Sequence, residues 1–168
     1  VLHSALRNLE ARVEVARLRP YLYAHRTSTT AVINYADPLG HVAEANAYDV
    51  LVGLDYRPAG RLQTALTVAY TLQGRNARNE NGTLVNWGAD PTVTYETRPR
   101  NDDMPMLVGP NQATLRVEAQ ASVEILPNFY ATAALYAQQV DDELNGLTRY
   151  LAPVAALRWG PPFQSLRY

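Results

Sequence analysis

Trp87, Tyr95, Arg98 and Arg100 fall within one long polar stretch and combine aromatic planes with bidentate hydrogen-bond donors. Sugar rings stack on aromatic planes, and guanidinium groups bind sugar oxygens, most strongly when the sugar is acidic. Together with His41 they are the candidate polysaccharide-contacting residues. The plainer alternative is a packed loop with incidental aromatics.

His3, His25 and His41 lack metal-ligand spacing, and no Ser/His/Asp arrangement or paired-carboxylate motif stands out. The expectation is therefore no enzyme, no metal and no cofactor. Asp141-Asp142-Glu143 is an acidic tip that would hold a divalent cation bridging lipopolysaccharide or, more simply, form a solvated turn. The Asn- and Gly-rich stretch from Gly74 to Gly88 lacks the ordered spacing of a calcium loop or a phosphate cradle.

A second polar set recurs at alternate positions: Glu10, Arg12 and Glu14, then Asp49 and Asp55, then Arg116, Glu118 and Glu124. Alternation implies strands, because successive side chains of a strand point to opposite faces. From Tyr48 to Tyr56 the residues Tyr48, Val50, Val52, Leu54 and Tyr56 share one face. Past the turn at Pro58-Ala59-Gly60, Leu62, Thr64, Leu66, Val68, Tyr70 and Leu72 continue the pattern, so the two runs predict a hairpin. The clearest stripe is Ala113, Leu115, Val117, Ala119, Ala121, Val123 and Ile125, set against a wholly polar opposite face. After a turn at Pro127-Asn128, strands are expected over Phe129 to Gln138 and from about Thr148 to Trp159, with the facing of the first undecided. An N-terminal strand begins near Leu9, and Arg17 to Tyr23 would extend it beyond a bulge. Pro20 and Pro153 each imply a bulge, an edge or a frayed end.

The links alternate between very short turns and longer stretches at about 25–46, 75–111 and 139–147. That is the outer-membrane pattern of short periplasmic turns and long extracellular loops, and Tyr48, Tyr56, Tyr70 and Trp159 lie where aromatic girdles belong. The expected fold is thus all-β: an antiparallel transmembrane outer-membrane β-barrel, of which residues 1–168 form the C-terminal portion, with a periplasmic tail over about 160–168. The alternating charged residues would face the lumen, since Arg or Lys on the lipid face costs about 2–4 kcal/mol at mid-membrane. Mixed signs suggest mutual pairing in a hydrated or plugged interior rather than a charge-selective ladder. Six strands fall short of the roughly eight of the smallest such barrel. Further strands upstream, or sister chains, must then complete the wall, and the start at Val1, without Met or a signal peptide, fits a processed or partial chain.

Composition narrows the alternatives. The 168 residues carry a net charge of -1 from 15 basic and 16 acidic side chains, which gives no footprint for nucleic acid. No cysteine is present, which removes disulfide scaffolds and thiol nucleophiles and suits export. No apolar run of roughly 18 residues exists, so a transmembrane helix is excluded on length. Eleven tyrosines suit membrane interfaces and sugar-facing surfaces. A soluble lipocalin-like barrel or a β-sandwich is the rival architecture.

Several segments, in order, resemble the Wzi-like capsule assembly proteins of Bacteroidetes-type bacteria. They are Leu18-Arg19-Pro20-Tyr21-Leu22-Tyr23-Ala24-His25, Asn34-Tyr35, Asp37-Pro38-Leu39-Gly40-His41, Ala45-Asn46 and Leu54-Asp55-Tyr56-Arg57-Pro58. Gln73-Gly74-Arg75-Asn76, Asn86-Trp87-Gly88, Thr97-Arg98-Pro99 and Leu157-Arg158-Trp159 continue the order. The resemblance implies a barrel of about 18 strands in the outer membrane of a Gram-negative bacterium. It also implies a non-enzymatic role in assembling or attaching capsular polysaccharide, with lipid, lipopolysaccharide and surface polysaccharide as partners. The sequence after Leu39 and the tail from Gly160 depart from the family pattern. A general porin or transport barrel is the first alternative function, and a soluble β-barrel binding protein the second.

Overall fold

The computed structural model describes residues 8–27, 31, 33–34, 37–99 and 103–160. His3, Arg100 and the expected tail beyond Gly160 lie outside them.

Among the described residues, ten strands follow in chain order: β1 (Leu9–Leu18), β2 (Ile33–Asn34), β3 (Asp37–Pro38), β4 (Ala47–Ala59), β5 (Leu62–Gly74), β6 (Ala77–Arg78), β7 (Leu84–Val85), β8 (Asn111–Leu126), β9 (Phe129–Asp142) and β10 (Gly146–Trp159). The six long ones form a single antiparallel sheet in the order β1-β4-β5-β8-β9-β10, while β2-β3 and β6-β7 are two-residue ladders within the long loops. The sheet is open, with β1 and β10 as its edges. Each long strand meets its sequence neighbour, as short connections demand.

Register assigns every side chain to a face. One row runs Val13–Val52–Val68–Val117–Ala137–Leu151 across all six strands. The adjacent row on the other face runs Arg12–Gly53–Thr67–Glu118–Tyr136–Ala152. Register also settles the facing of β9. Phe129, Ala131, Ala133, Leu135 and Ala137 join the apolar face, and Tyr130, Thr132, Ala134 and Tyr136 the polar one. Charged residues break the apolar face at Arg17, Asp141 and Arg149, all within four residues of the long-loop end of their strands.

Burial is inverted relative to a water-soluble sheet. Val15 is 75% exposed, Leu151 69% and Leu157 70%, and Tyr48, Val50, Val52, Tyr70, Leu115 and Val123 are exposed as well. The buried side chains are instead mostly polar or small, Asn46, Asp49, Thr71, Gln73, Asn86 and Ser122 with Ala43, Ala45, Ala47, Ala69 and Ala89, the larger exceptions being Leu18, Met104 and Tyr130. The sole packed apolar nucleus among the described residues, Leu18 with Ala43 and Ala47, lies where the first long loop folds against the sheet.

Two sequence expectations change. The link expected over 139–147 is a three-residue turn. β9 runs on to Asp142, whose Oδ1 accepts from the Leu144 N–H at 2.8 Å, and Gly146 takes φ 79 to re-enter the ladder. The first strand does not continue past Pro20 but stops at Leu18, and Tyr21 turns the chain at φ 62. Pro153 takes the edge placement among those expected for it, sitting in edge strand β10 in register with Leu135. The turn at Pro127-Asn128 forms as expected. Proline at its first central position and Asn128 at φ 61 give the residue pattern of a type II turn, and Glu124 Oε1 accepts from the Asn128 N–H at 2.8 Å.

Candidate functional site

The two long loops, 19–46 and 75–110, fold over the loop end of the polar face and are tied down by asparagines. Asn46 is wholly buried. Its Nδ2 donates to Gly74 O (2.8 Å) and Val108 O (3.0 Å), and its Oδ1 accepts from the Leu107 N–H (2.7 Å). Its backbone N–H donates to Arg19 O, and its carbonyl accepts from the Gly74 N–H. One side chain thus joins both loops to the ends of β4 and β5. Asn76 Oδ1 accepts from the Trp87 N–H at 2.7 Å, and Asn86 Nδ2 donates to Thr94 O and Thr97 Oγ1. The second pair fixes a 3-10 turn at Tyr95–Thr97.

That turn forms one wall of an open pocket of ≈ 570 Å³, lined by Arg19, Pro20, Tyr21, Tyr95, Arg98, Asp103 and Met104. The volume is within the range of small-molecule sites, ≈ 300–1,000 Å³. The Arg98 guanidinium lies over the Tyr95 ring, 4.9 Å from its centroid, and donates through Nη1 to Tyr95 O at 3.1 Å. A stacked arginine keeps its remaining donors directed and loses little freedom on binding. Two arginines against one aspartate give the pocket a positive balance suited to an acidic ligand. Outside it, Arg26 Nε donates to Glu96 Oε1 at 2.6 Å in an exposed ion pair whose carboxylate holds the guanidinium above its usual range.

Tyr21 is the hinge between the loops. Its hydroxyl donates to Asn86 O at 2.5 Å, and its N–H donates to Gly88 O at 2.9 Å. Gly88 is required at this approach, since at φ 80 a Cβ would stand 2.6 Å from Tyr21 N. Burial pushes the Tyr21 phenol above its ordinary value of 10.0, the Arg98 charge opposing. The neutral phenol is therefore favoured in the folded loop. Its contribution is whole below pH 10 and is lost as pH rises through the raised value. Tyr21→Phe is expected to remove a late-titrating component of the tyrosine absorbance at alkaline pH and to weaken the loop by about 1 kcal/mol at neutral pH. An unchanged titration curve would show that the phenol is not held.

Of the candidate polysaccharide contacts, Tyr95 and Arg98 come together in this pocket. Trp87 does not line it but packs near Gly109, half-buried. His41 is elsewhere: its N–H donates to the Tyr23 hydroxyl, its Nδ1 accepts from the Ala43 N–H, and its Nε2 lies 3.8 Å from Asp49 Oδ2. It braces the first loop over the sheet. Arg100 lies outside the described residues.

The eight candidate lumen-facing residues, Glu10, Arg12, Glu14, Asp49, Asp55, Arg116, Glu118 and Glu124, all share the polar face. Their expected mutual pairing is realised between Arg12 and Glu14, 3.3 Å apart. Asp49 instead accepts from Thr71 Oγ1 at 2.5 Å, and Arg116 Nη2 donates to that same hydroxyl at 3.3 Å, so a buried polar chain runs from His41 to Arg116.

Sequence reasoning missed Asn46, Asn86, Tyr21 and Arg19 as site builders. Their bonds bring distant segments together here: Leu18–His25 with Asn86–Gly88, Ala45–Asn46 with Gln73–Asn76, and Asn86 with Thr97. No family model, curated protein or solved structure matches the chain.

Proposed function

We propose that this chain is part of the wall of an outer-membrane β-barrel whose loop roof takes up surface polysaccharide, without catalysis. The observation that carries the wall is the inverted burial: an apolar face of exposed and half-buried side chains, backed by a polar face that is the more buried of the two on β4 and β5. Water penalises such a face and hydrocarbon does not. Tyr48 and Tyr56 bracket the apolar stripe of β4. Eight residues of strand span about 27 Å, or about 20 Å along the membrane normal at a tilt near 40°, close to the ~25 Å apolar band of such barrels. Exposed edges at β1 and β10 would be intolerable in lipid, so further strands of the same protein, or sister chains, pair with them. The Wzi-like segment order favours the polysaccharide role over that of a general porin.

The test uses the intact protein in detergent and the polysaccharide purified from the surface of the cells that make it. Tyr95→Ala and Arg98→Ala are each expected to weaken binding about tenfold or more, whereas Glu80→Ala, exposed and outside the pocket, should leave it unchanged. Unchanged affinity in both variants would sink the pocket. Large steady conductance in planar bilayers, with no polysaccharide binding, would favour the porin alternative. A monodisperse protein in detergent-free buffer would favour the soluble binder.

A further inference from the structure

We infer that the polar face carries a second carbohydrate subsite, distinct from the loop pocket, in a hollow across β8, β9 and β10 that takes neutral pyranose units. Register places Arg116, Gln138 and Tyr150 in one cross-strand row and Glu118, Tyr136 and Ala152 in the next. Six residues of these rows line a hollow of ≈ 330 Å³. Tyr136 and Tyr150 are diagonal neighbours on adjacent strands, about 7–8 Å apart at the backbone. Ala134 and Ala152 flank Tyr136 on the polar face and leave its ring uncovered.

The third tyrosine of this stretch supplies the contrast. Tyr130 is 6% exposed and covered by the Arg158 guanidinium, 5.2 Å from its ring centroid. It is packed as strand filler would be. Tyr136 and Tyr150 are 43% and 62% exposed, Tyr150 on edge strand β10, whose residues from Gly146 to Leu157 are all exposed. An uncovered ring beside a carboxylate and an amide matches a pyranose, whose C–H face stacks on the ring while its hydroxyls bond to Glu118 and Gln138. Arg116 donates toward β5 through Thr71 and balances Glu118, so the hollow has no net charge to select an acidic sugar. That separates it from the loop pocket with Arg19 and Arg98.

The inference rests on the barrel reading, in which the polar face lines a hydrated lumen. Its test is calorimetric titration of the intact protein in detergent with maltohexaose. Binding is expected in the parent protein and in Arg98→Ala. The Tyr136→Ala, Tyr150→Ala double variant should bind about tenfold more weakly, and the corresponding double Phe variant should keep parental affinity. No binding by the parent protein, equal binding by the double Ala variant, or loss in the double Phe variant overturns the stacking subsite. Single thiols introduced into this cysteine-free sequence decide the underlying reading separately. In lipid vesicles, Gln120→Cys on the polar face should react with a water-soluble maleimide and Val117→Cys on the apolar face should not. That pattern keeps the barrel standing whatever the titration gives, and the reverse removes both.

Discussion

Val117→Arg is expected to destabilise the protein in lipid vesicles by about 2–4 kcal/mol and to deplete it from the outer-membrane fraction. Val117 occupies the middle of β8 in the row Val13–Val52–Val68–Val117–Ala137–Leu151, which holds no polar side chain from one edge of the sheet to the other. A guanidinium there has no partner on its own face and must be solvated by distorting the bilayer. The penalty should fall with depth. Ala113→Arg and Ile125→Arg, toward the two ends of the same stripe, should cost about 0–1 kcal/mol, since arginine near the interface reaches headgroups. Thr67→Arg lies on the opposite face with Glu118 as its cross-strand neighbour, and should be tolerated. Equilibrium unfolding in vesicles reads all four. A protein core would give no such gradient, because cost would then follow packing. Equal penalties at positions 113, 117 and 125 would therefore end the membrane reading.

What was legible in the sequence followed from how strictly a strand alternates. β8 declares itself because Ala113 to Ile125 never breaks period two, and a slip of one residue would move the whole apolar set to the wrong face. β9 could be seen as a strand but not oriented, since Ala131, Ala133 and Ala137 on one side face Ala134 on the other and tyrosines occur on the second. Only pairing with Glu118 and Glu124 on β8 assigns Tyr136 and Tyr130 to the polar face. The end of β9 looked like a loop because Gln138, Gln139, Asp141 and Asp142 carry no apolar stripe. There the ladder to β8 and β10 is held by backbone bonds, and side-chain type has little say.

The loop site was hidden for a different reason. Its bonds join residues far apart in sequence, 65 positions between Tyr21 and Asn86 and 62 between Asn46 and Val108. No local pattern encodes such a pairing. Tyr95 and Arg98 could be found because they are three residues apart and stack on one another. Arg19 and Tyr21, which complete their pocket, arrive from the other loop. That His41 lies apart from this pocket has the same origin: its position depends on Asp49 and Tyr23, and nothing around Gly40 announces either.

Asn46→Ala should open the roof while leaving the sheet intact. The substitution leaves Gly74 O, Val108 O and the Leu107 N–H without the side chain that serves all three; the first bond is buried and the other two part-buried, and a buried group left unsatisfied costs about 1–3 kcal/mol. Asn46 also sits at φ 56, where alanine costs roughly 1 kcal/mol or more. The sum exceeds what a loop held at a few points can supply, so residues 103–110 and 19–25 are expected to detach together. Gly74→Ala should reproduce the effect from the other side, because its Cβ would stand 2.5 Å from Asn46 Nδ2 and 2.6 Å from Val108 O. Hydrogen exchange on the intact protein separates the outcomes. Amides of both loops should lose protection in either variant, while β8, β9 and β10, whose ladders do not involve Asn46, keep theirs. Polysaccharide binding should fall with the loops although Tyr95 and Arg98 are untouched, because the pocket needs Arg19 and Tyr21 brought across to them. Protection unchanged in the loops of both variants would show that the roof is held elsewhere. Loss of protection throughout the sheet would show that the roof supports the wall rather than resting on it.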